Sequence, residues 1–334
     1  MTVLLAEEAR YTPEPVELRL RCTAIRPATH DVRTFVFEPD TALAFRPGQY
    51  LMLRLPVGER CYTIASPPTR PETLELTVKH HPGGAGSGYL HEELRVGQTL
   101  EASGPFGRFS YATQFSYTTR PESRYLFLSA GSGITPVMAM IRTLFDLGST
   151  ADAVFLHTAR GPADRIFGAE LDAIAASAPN FRVANSYGRA GLTAESLAAL
   201  VPDITERAVF CCGPHGYRER ITEILALLGA DPGNYTEERF TVEQTGPSTV
   251  NYPVRLGAAS FECGAEQTVL DAAQQAGVSV PFSCGQGMCG TCKHTLLSGS
   301  VHMRHNGGIR PKEIERNRIL LCCAKPQEPL VIEG

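Results

Sequence analysis

A group of closely spaced cysteines constrains what this chain can fold into more than any other feature. The group comprises Cys284, Cys289 and Cys292, and Cys322 follows after a long gap. The glycines between the first three allow a loop to wrap tightly, with its backbone N–H groups directed at the sulfurs. Such a loop makes a poor apolar core, which disfavours ordinary buried cysteines. The pattern predicts four thiolates that converge on a metal centre.

The cysteine spacing distinguishes between two possible kinds of metal centre. A structural zinc site usually takes two close pairs of cysteines, whereas this chain offers one close pair and two separated cysteines. Zinc, and with it a binding module stabilised by zinc, is the alternative. The C-x4-C-x2-C spacing with a distant fourth cysteine instead resembles plant-type [2Fe–2S] ferredoxins.

The residues around the cysteines extend this resemblance. Residues 267–277 carry the start and stop signals of a helix, which Thr268 can cap. The order of helix, cysteine loop and final cysteine resembles a ferredoxin domain throughout residues 253–334. In that family the last ligand precedes a proline by four residues, which implies that Cys322 is the ligand and Cys323 a small packed residue.

Residues 119–240 alternate buried strands with helices, which is typical of a parallel, doubly wound α/β sheet. The first strand ends in a motif where Gly131 and Gly133 precede a helix. We expect Thr135 to cap this helix and Pro136 to be its first residue. Such a helix start presents free N–H groups to a diphosphate. The third glycine of the dinucleotide fingerprint is missing, so a plain tight turn is the alternative.

The ends of two further strands in this segment carry residues that could contact a bound nucleotide. One ends in Cys212, Gly213 and Pro214, and because ligands of such sheets bind at the carboxyl ends of strands, a thiol there could touch a nicotinamide ring. Small residues before a turn are the ordinary interpretation. The second strand ends at Arg160, with no acid before Asp164. An acid there would favour NADH and an arginine NADPH, so both cofactors stay open.

Residues 16–118 consist of many short strands separated by Gly and Pro turns, which favours an antiparallel β-barrel. One strand places Arg60 and Tyr62 on the same side. An arginine suits a pyrophosphate and a tyrosine can stack on an isoalloxazine ring. Further on, Gly86 precedes Ser87, which we expect to cap a short helix. That helix start would be a second anion-binding site and favours FAD over FMN.

Together the three segments resemble the ferredoxin–NADP reductase superfamily, in the hybrid form with a C-terminal [2Fe–2S] domain, over residues from about 17 to 334. The resemblance implies that Arg60 holds the flavin pyrophosphate, Tyr62 stacks on the flavin, and Thr63 approaches flavin N5. It places Cys212 by the nicotinamide, so that Thr63 and Cys212 are the catalytic candidates, and Phe240 against the flavin. The remaining cofactor-binding candidates are Ser66, Val78, Gly86, Ser87, Gly131, Gly133, Thr135, Pro136, Gly213 and Pro214. One departure is Tyr217, where the family usually has a methionine.

The resemblance also implies a function. NADH delivers two electrons and a [2Fe–2S] cluster accepts one at a time, so FAD is expected between them. Hybrid reductases of this kind mostly use NADH and supply a Rieske-type oxygenase. The segment from His305 resembles reductases of glycine betaine or stachydrine demethylases. Another acceptor, such as a hybrid-cluster protein or a multicomponent monooxygenase, is the alternative, and an iron–sulfur redox sensor is an alternative of another class.

Composition excludes several other functions. Lys and Arg number 31 against 35 Asp and Glu, a net charge of −4, which argues against a nucleic-acid partner. No stretch reaches the roughly 18 apolar residues of a membrane span. The apolar run at the N-terminus is too short for a signal peptide, so we expect a cytoplasmic protein without a membrane partner. Residues 1–15 read as a flexible tail and residues 241–252 as a linker.

Overall fold

The computed structural model describes residues 15–112, 123–188, 192–238, 250–282, 285, 287, 290–303, 305 and 308–334. The chain divides into two compact units, one of residues 1–105 with 109–239 and one of residues 106–108 with 240–334. Across the described residues, no helix is long and apolar enough to cross a membrane.

The first unit contains a six-stranded sheet with the order β4–β3–β6–β1–β2–β5. Its strands are β1 (Val16–Thr29), β2 (Val32–Pro39), β3 (Tyr50–Leu55), β4 (Gly58–Thr63), β5 (Leu74–Lys79) and β6 (Thr99–Phe106). Every second residue at the start of β1 is buried, so Leu18, Leu20 and Cys22 enter the core. An isolated bridge pairs Ile64 with Leu76 and brings the two sheet edges together. The expected antiparallel β-barrel is confirmed.

A short helical segment connects β5 to β6 in this barrel. It consists of α1 (Ala85–Gly88) and a π-helical turn over Tyr89–Glu93. The expectation that Ser87 caps a helix is wrong, because Ser87 lies inside α1. Its hydroxyl accepts a hydrogen bond from the His81 N–H and donates one to the Gly84 carbonyl, both at 3.1 Å.

The first unit also contains a five-stranded parallel sheet with the order β11–β10–β7–β8–β9. Its strands are β7 (Arg124–Ala130), β8 (Asp152–Ala159), β9 (Phe181–Tyr187), β10 (Ala208–Cys212) and β11 (Tyr235–Glu238). The helices are α2 (Ile134–Asp146), α3 (Gly168–Ser177), α4 (Ala194–Leu200) and α5 (His215–Leu227). Apolar clusters pack on both faces of the sheet, which explains the continuous apolar strands. The predicted doubly wound α/β segment is confirmed.

Helix α2 begins earlier than expected. A 3₁₀ turn over Gly131–Gly133 leads directly into it, and Gly133 already has the helical φ of −64°. Thr135 and Pro136 therefore lie in the first turn of the helix, and neither occupies the predicted cap or first position. The Thr135 hydroxyl donates to the Ser132 carbonyl oxygen at 3.2 Å, which closes the preceding turn.

The second unit is an α+β fold. Its main sheet has the order β13–β12–β18–β14–β16, and β15 pairs with β17. The strands are β12 (Asn251–Leu256), β13 (Ala259–Gly264), β14 (Lys293–Ser298), β15 (Val301–Met303), β16 (Arg318–Leu320), β17 (Ala324–Pro326) and β18 (Leu330–Ile332), with helices α6 (Val269–Gln275) and α7 (Pro311–Ile314). Thr268 caps α6 as expected, accepting from the Asp271 N–H at 3.2 Å. The predicted ferredoxin-like fold is confirmed. Because β12 begins at Asn251, the end of the expected linker is strand.

Candidate functional site

The two predicted flavin residues of β4 meet the glycine of α1. A Cβ built on Gly86 would lie 2.6 Å from Arg60 Cγ and 3.0 Å from Tyr62 Oη. The structure therefore brings these three residues together, with Arg60 and Tyr62 on one side of the strand. Burial raises the pKa of Tyr62 to about 12, so its phenol stays neutral. The Arg60 guanidinium donates to the Glu59 carbonyl oxygen at 2.7 Å and remains partly exposed.

Three further flavin candidates line the end of β4 and the strand β5. Thr63 is the last residue of β4 and is buried, as is Ser66 just beyond it. The Ser66 hydroxyl accepts a hydrogen bond from the Glu75 N–H at 3.0 Å, which fixes it against β5. Val78 is buried on β5 and its carbonyl oxygen lies 2.9 Å from His91 Nε2.

The predicted nucleotide turn packs directly onto the end of β10. A Cβ on Gly133 would lie 2.3 Å from the carbonyl oxygen of Cys212, a contact that only glycine permits. Gly131 has a φ of +54°, in the left-handed region that glycine adopts readily. A Cβ on Gly213 would lie 2.8 Å from the Tyr217 ring. The structure therefore brings together, in one candidate nucleotide site, the glycine turn, the end of β10 and the start of α5.

Two residues complete the end of β10. Pro214 directly precedes α5 at its cap position. Arg218, one turn into α5, is buried and donates from Nε to the Gly213 carbonyl oxygen at 3.1 Å. It also forms an ion pair with Glu237 at 3.1 Å. Sequence reasoning missed Arg218, whose only signal was its position one turn after the proline.

The Cys212 thiol is fully buried beside a second titratable group that sequence reasoning missed. Cys212 pairs with Glu238 across β10 and β11. Burial, with a smaller contribution from the Glu238 carboxylate, raises the pKa of the Cys212 thiol well above its usual range. Burial alone raises the pKa of Glu238 to about 8, and its Oε2 has no hydrogen-bond partner among the described residues. Burial favours the neutral form of both groups, so the Cys212 thiol is suited to packing against a ring rather than to acting as a nucleophile.

Arg160, at the end of β8, is bound by two carboxylates. Its Nη2 donates to Asp31 Oδ2 at 2.9 Å and to Asp164 Oδ1 at 2.6 Å. Asp31 also forms an ion pair with Lys79 at 3.3 Å. The positive charge that could have favoured a 2′-phosphate is therefore balanced by the protein itself.

Cys292 and Cys322 are buried in the second unit, whereas Cys284 and Cys289 lie outside the described residues, as does Phe240. The N–H of Gly287, within the cysteine loop, donates to Cys322 Sγ at 3.1 Å. Backbone N–H groups directed at sulfur stabilise the thiolates of an iron–sulfur cluster. The residues present thus fit such a cluster.

Cys323 lies at the same loop. Its Sγ is 3.7 Å from Cys322 Sγ, and a Cβ on Gly287 would lie 2.4 Å from it. Its thiol is therefore packed against the loop backbone, in agreement with the packing role predicted for it.

The residues of the predicted flavin site also fit FAD. The cradle between Gly86, Arg60 and Tyr62 exists because α1 approaches β4 with no side chain between them. An aromatic face, a cation and backbone N–H groups then lie together, which suits an isoalloxazine ring and a pyrophosphate.

Comparison with known proteins divides the chain into three matched segments. Residues 20–111 match the oxidoreductase FAD-binding domain, residues 127–221 the oxidoreductase NAD-binding domain, and residues 256–327 the 2Fe-2S iron-sulfur cluster binding domain. The glycine betaine monooxygenase reductase subunit of Pseudomonas aeruginosa is 37% identical, over 94% of each chain.

Two more proteins are similar over nearly the whole chain. The stachydrine N-demethylase reductase subunit of Rhizobium meliloti is 36% identical, over 94% of this chain and 96% of that protein. Among solved structures, phthalate dioxygenase reductase has a TM-score of 0.64 at 24% identity, over 95% of this chain and 98% of that one, which shows a shared fold.

Proposed function

The chain belongs to the family of oxidoreductases that join FAD-binding, NAD-binding and [2Fe–2S] domains, and we propose that it is the reductase component of a Rieske-type oxygenase. The observation that carries the proposal is the presence of all three domains in one chain, in the same order and over nearly the same length as the reductase subunits it resembles. The acceptor is then an oxygenase that receives single electrons.

Each cofactor supplies its own chemistry when bound: the nicotinamide gives a hydride, the flavin takes two electrons and releases them singly, and the cluster carries one. Arg60 and the N–H groups around Gly86 and Ser87 bind the flavin pyrophosphate. Tyr62 would stack on the flavin ring, and Thr63, Ser66 and Val78 would line its site.

The nucleotide binds where α2 begins. The N–H groups of the turn with Gly131 and Gly133 would bind the pyrophosphate, with Thr135 and Pro136 in the first helical turn. The nicotinamide ring would lie at the end of β10, near Gly213, Pro214 and Cys212, whose thiol stays neutral because it is buried. No acid–base residue is required for this transfer.

We propose NADH as the preferred donor. The pairing of Arg160 with Asp31 and Asp164 supports this, since a 2′-phosphate would have to displace two carboxylates from the guanidinium. We also propose a cytoplasmic location, where NADH is supplied and thiols such as Cys22 and Cys263 stay reduced.

The cluster ligands are Cys284, Cys289, Cys292 and Cys322 in this proposal. The oxygenase served is one that demethylates a quaternary ammonium compound, which the 36–37% identity to the betaine and stachydrine reductase subunits supports.

An anaerobic titration tests the function. The purified protein is expected to show flavin and [2Fe–2S] absorbance, both bleached by NADH, and to reduce ferricyanide. With a purified glycine betaine oxygenase component and O₂, it is expected to support formaldehyde release. A protein that keeps both chromophores but oxidises neither NADH nor NADPH would instead be a redox sensor, and a colourless zinc protein would overturn the scheme. Formaldehyde release equal to that without the reductase would remove the partner assignment alone.

A further inference from the structure

Arg142 is buried where the two halves of the first unit meet. It lies on α2, the helix that begins at the nucleotide turn, and its side chain is only 8% exposed. Arg142 belongs to the segment that matches the NAD-binding domain, whereas its partners Ala65 and Glu75 belong to the segment that matches the FAD-binding domain. A charged side chain at such a place needs full compensation by its neighbours.

The guanidinium binds both halves at once. Its Nη1 donates to the carbonyl oxygen of Ala65 at 2.9 Å and to Glu75 Oε2 at 2.8 Å. Its Nε and Nη2 donate to the two carboxylate oxygens of Glu170, each at 2.7 Å. The Phe167 ring lies against the guanidinium, with its centroid 4.8 Å from Cζ. This arrangement uses the planar fork of donors that arginine has and lysine lacks.

Ala65 connects Arg142 to the flavin site. It stands between Thr63 and Ser66 in a buried segment at the end of β4. Its N–H donates to the Glu75 carbonyl oxygen at 2.8 Å, and the Glu75 N–H donates to the Ser66 hydroxyl at 3.0 Å. The guanidinium therefore closes a continuous set of hydrogen bonds around the segment that lines the flavin.

The charge on Arg142 is permanent. Burial lowers its pKa, but the hydrogen bonds and charges of Glu170 and Glu75 outweigh this effect and raise the pKa above its ordinary value. Another link between the halves, from Arg70 to Asp146, is made by an arginine whose side chain is 55% exposed. Exposed pairs hold geometry weakly, so the buried Arg142 is the stronger link.

We propose that Arg142 is a positioning residue for the reaction between the nucleotide and the flavin, an inference that rests on the proposed function. It fixes the Thr63–Ser66 segment relative to the start of α2. The flavin would bind at the first of these and the nucleotide at the second, so Arg142 would also set the distance between the flavin and nicotinamide rings. Hydride transfer depends steeply on this placement, because a misplacement of about 1 Å can cost about a hundredfold in rate.

Arg142→Lys tests the inference, since it keeps the charge and removes the fork of donors. In single-turnover experiments, flavin reduction by saturating NADH is expected to slow by about tenfold or more. The long-wavelength absorbance of nicotinamide stacked on flavin is expected to weaken. Flavin content, the cluster spectrum and electron transfer from photochemically reduced flavin to the cluster are expected to stay unchanged. Glu170→Gln, a milder variant that leaves Arg142 its Ala65 and Glu75 contacts, is expected to show an intermediate rate.

Arg207→Lys is the matched control. The Arg207 side chain is fully buried, and it bonds to Asp152, to Asp203 and to the Tyr125 carbonyl, all within the parallel α/β half. Both lysine variants are expected to lower the Tm, but Arg207→Lys should reduce its flavin at the wild-type rate.

If flavin reduction slowed equally in Arg142→Lys and Arg207→Lys, Arg142 would have only a structural role, and the inference would be overturned. A wild-type rate in both Arg142→Lys and Glu170→Gln would overturn it as well. A wild-type flavin that NADH leaves oxidised would instead overturn the proposed function, and the inference with it, so the two failures are distinguishable.

Discussion

Gly133 touches the backbone of Cys212, because a Cβ on Gly133 would lie 2.3 Å from the Cys212 carbonyl oxygen. Rotation of a side chain cannot relieve such a clash, so Gly133→Ala is expected to displace the nucleotide turn from β10. Overpacking of this kind costs about 1–3 kcal/mol, which corresponds to NADH binding weaker by about 5- to 150-fold. The NADH dependence of flavin reduction measures it. Normal flavin and cluster spectra are the control, and an unchanged dependence would contradict the assigned site.

Gly86→Ala should weaken flavin binding. The new Cβ would lie 2.6 Å from Arg60 Cγ and 3.0 Å from Tyr62 Oη, so both side chains that form the flavin cradle have to move. We expect about tenfold weaker FAD retention, or about 1.4 kcal/mol, measured as flavin released during dialysis. The control is Gly88→Ala in the same helix, where a Cβ meets no protein atom within 4 Å. Equal retention in the two variants would place the flavin elsewhere.

Cys292→Ser should remove the [2Fe–2S] absorbance, because an alcohol is a poor substitute for the thiolate that would hold the cluster iron. NADH-dependent ferricyanide reduction is expected to survive, whereas electron transfer to the oxygenase is lost. Cys263→Ser is the matched control. Cys263 is buried in the same unit, but its thiol donates to backbone carbonyls at 3.6 and 3.7 Å. Oxygenase turnover that persisted in Cys292→Ser would remove the cluster from the path.

The buried carboxyl of Glu238 is expected to lower the free energy of unfolding as the pH rises. The unfolded carboxyl ionises near its ordinary pKa of 4.5, whereas the buried one keeps its proton up to about pH 8. Between these values the native state binds the extra proton, so the free energy of unfolding falls by about 1.4 kcal/mol per pH unit, and by about 5 kcal/mol in total.

Glu238→Gln cannot ionise and should escape this loss. The Tm of the variant is expected to rise relative to wild type from pH 5 to pH 8, and subtracting the two curves cancels the other titrating groups. A difference in Tm that is constant with pH would show that Glu238 titrates normally.

Local sequence patterns were sufficient for the fold but not for the start of every helix. The predicted cap of α6 at Thr268 is confirmed. For α2 the sequence predicted Thr135 as the cap and Pro136 as the first residue, but the glycine turn before them already has helical geometry and moves the start to Ile134. No side-chain pattern signals a turn made by glycine backbones.

The residues that sequence reasoning missed are those whose partners are distant in the chain. Arg142 lies 77 residues from Ala65, and its only signal was a charge inside the apolar run of α2. Glu238 is one of two consecutive acids at a strand end, and only the pairing of β11 with β10 buries it. The periodicity of apolar residues predicts which face of a helix or strand is buried. It does not predict which polar side chains the fold buries against that face.

The strand β18 lies between β12 and β14, with a parallel neighbour on one side and an antiparallel one on the other. During synthesis, the cysteine loop leaves the ribosome well before Leu330–Ile332 does. Until that last segment emerges, the two halves of the sheet have no strand to join them. A stable scaffold for the cysteine loop therefore requires translation of this segment, and a premature stop before it would leave the loop with no folded support.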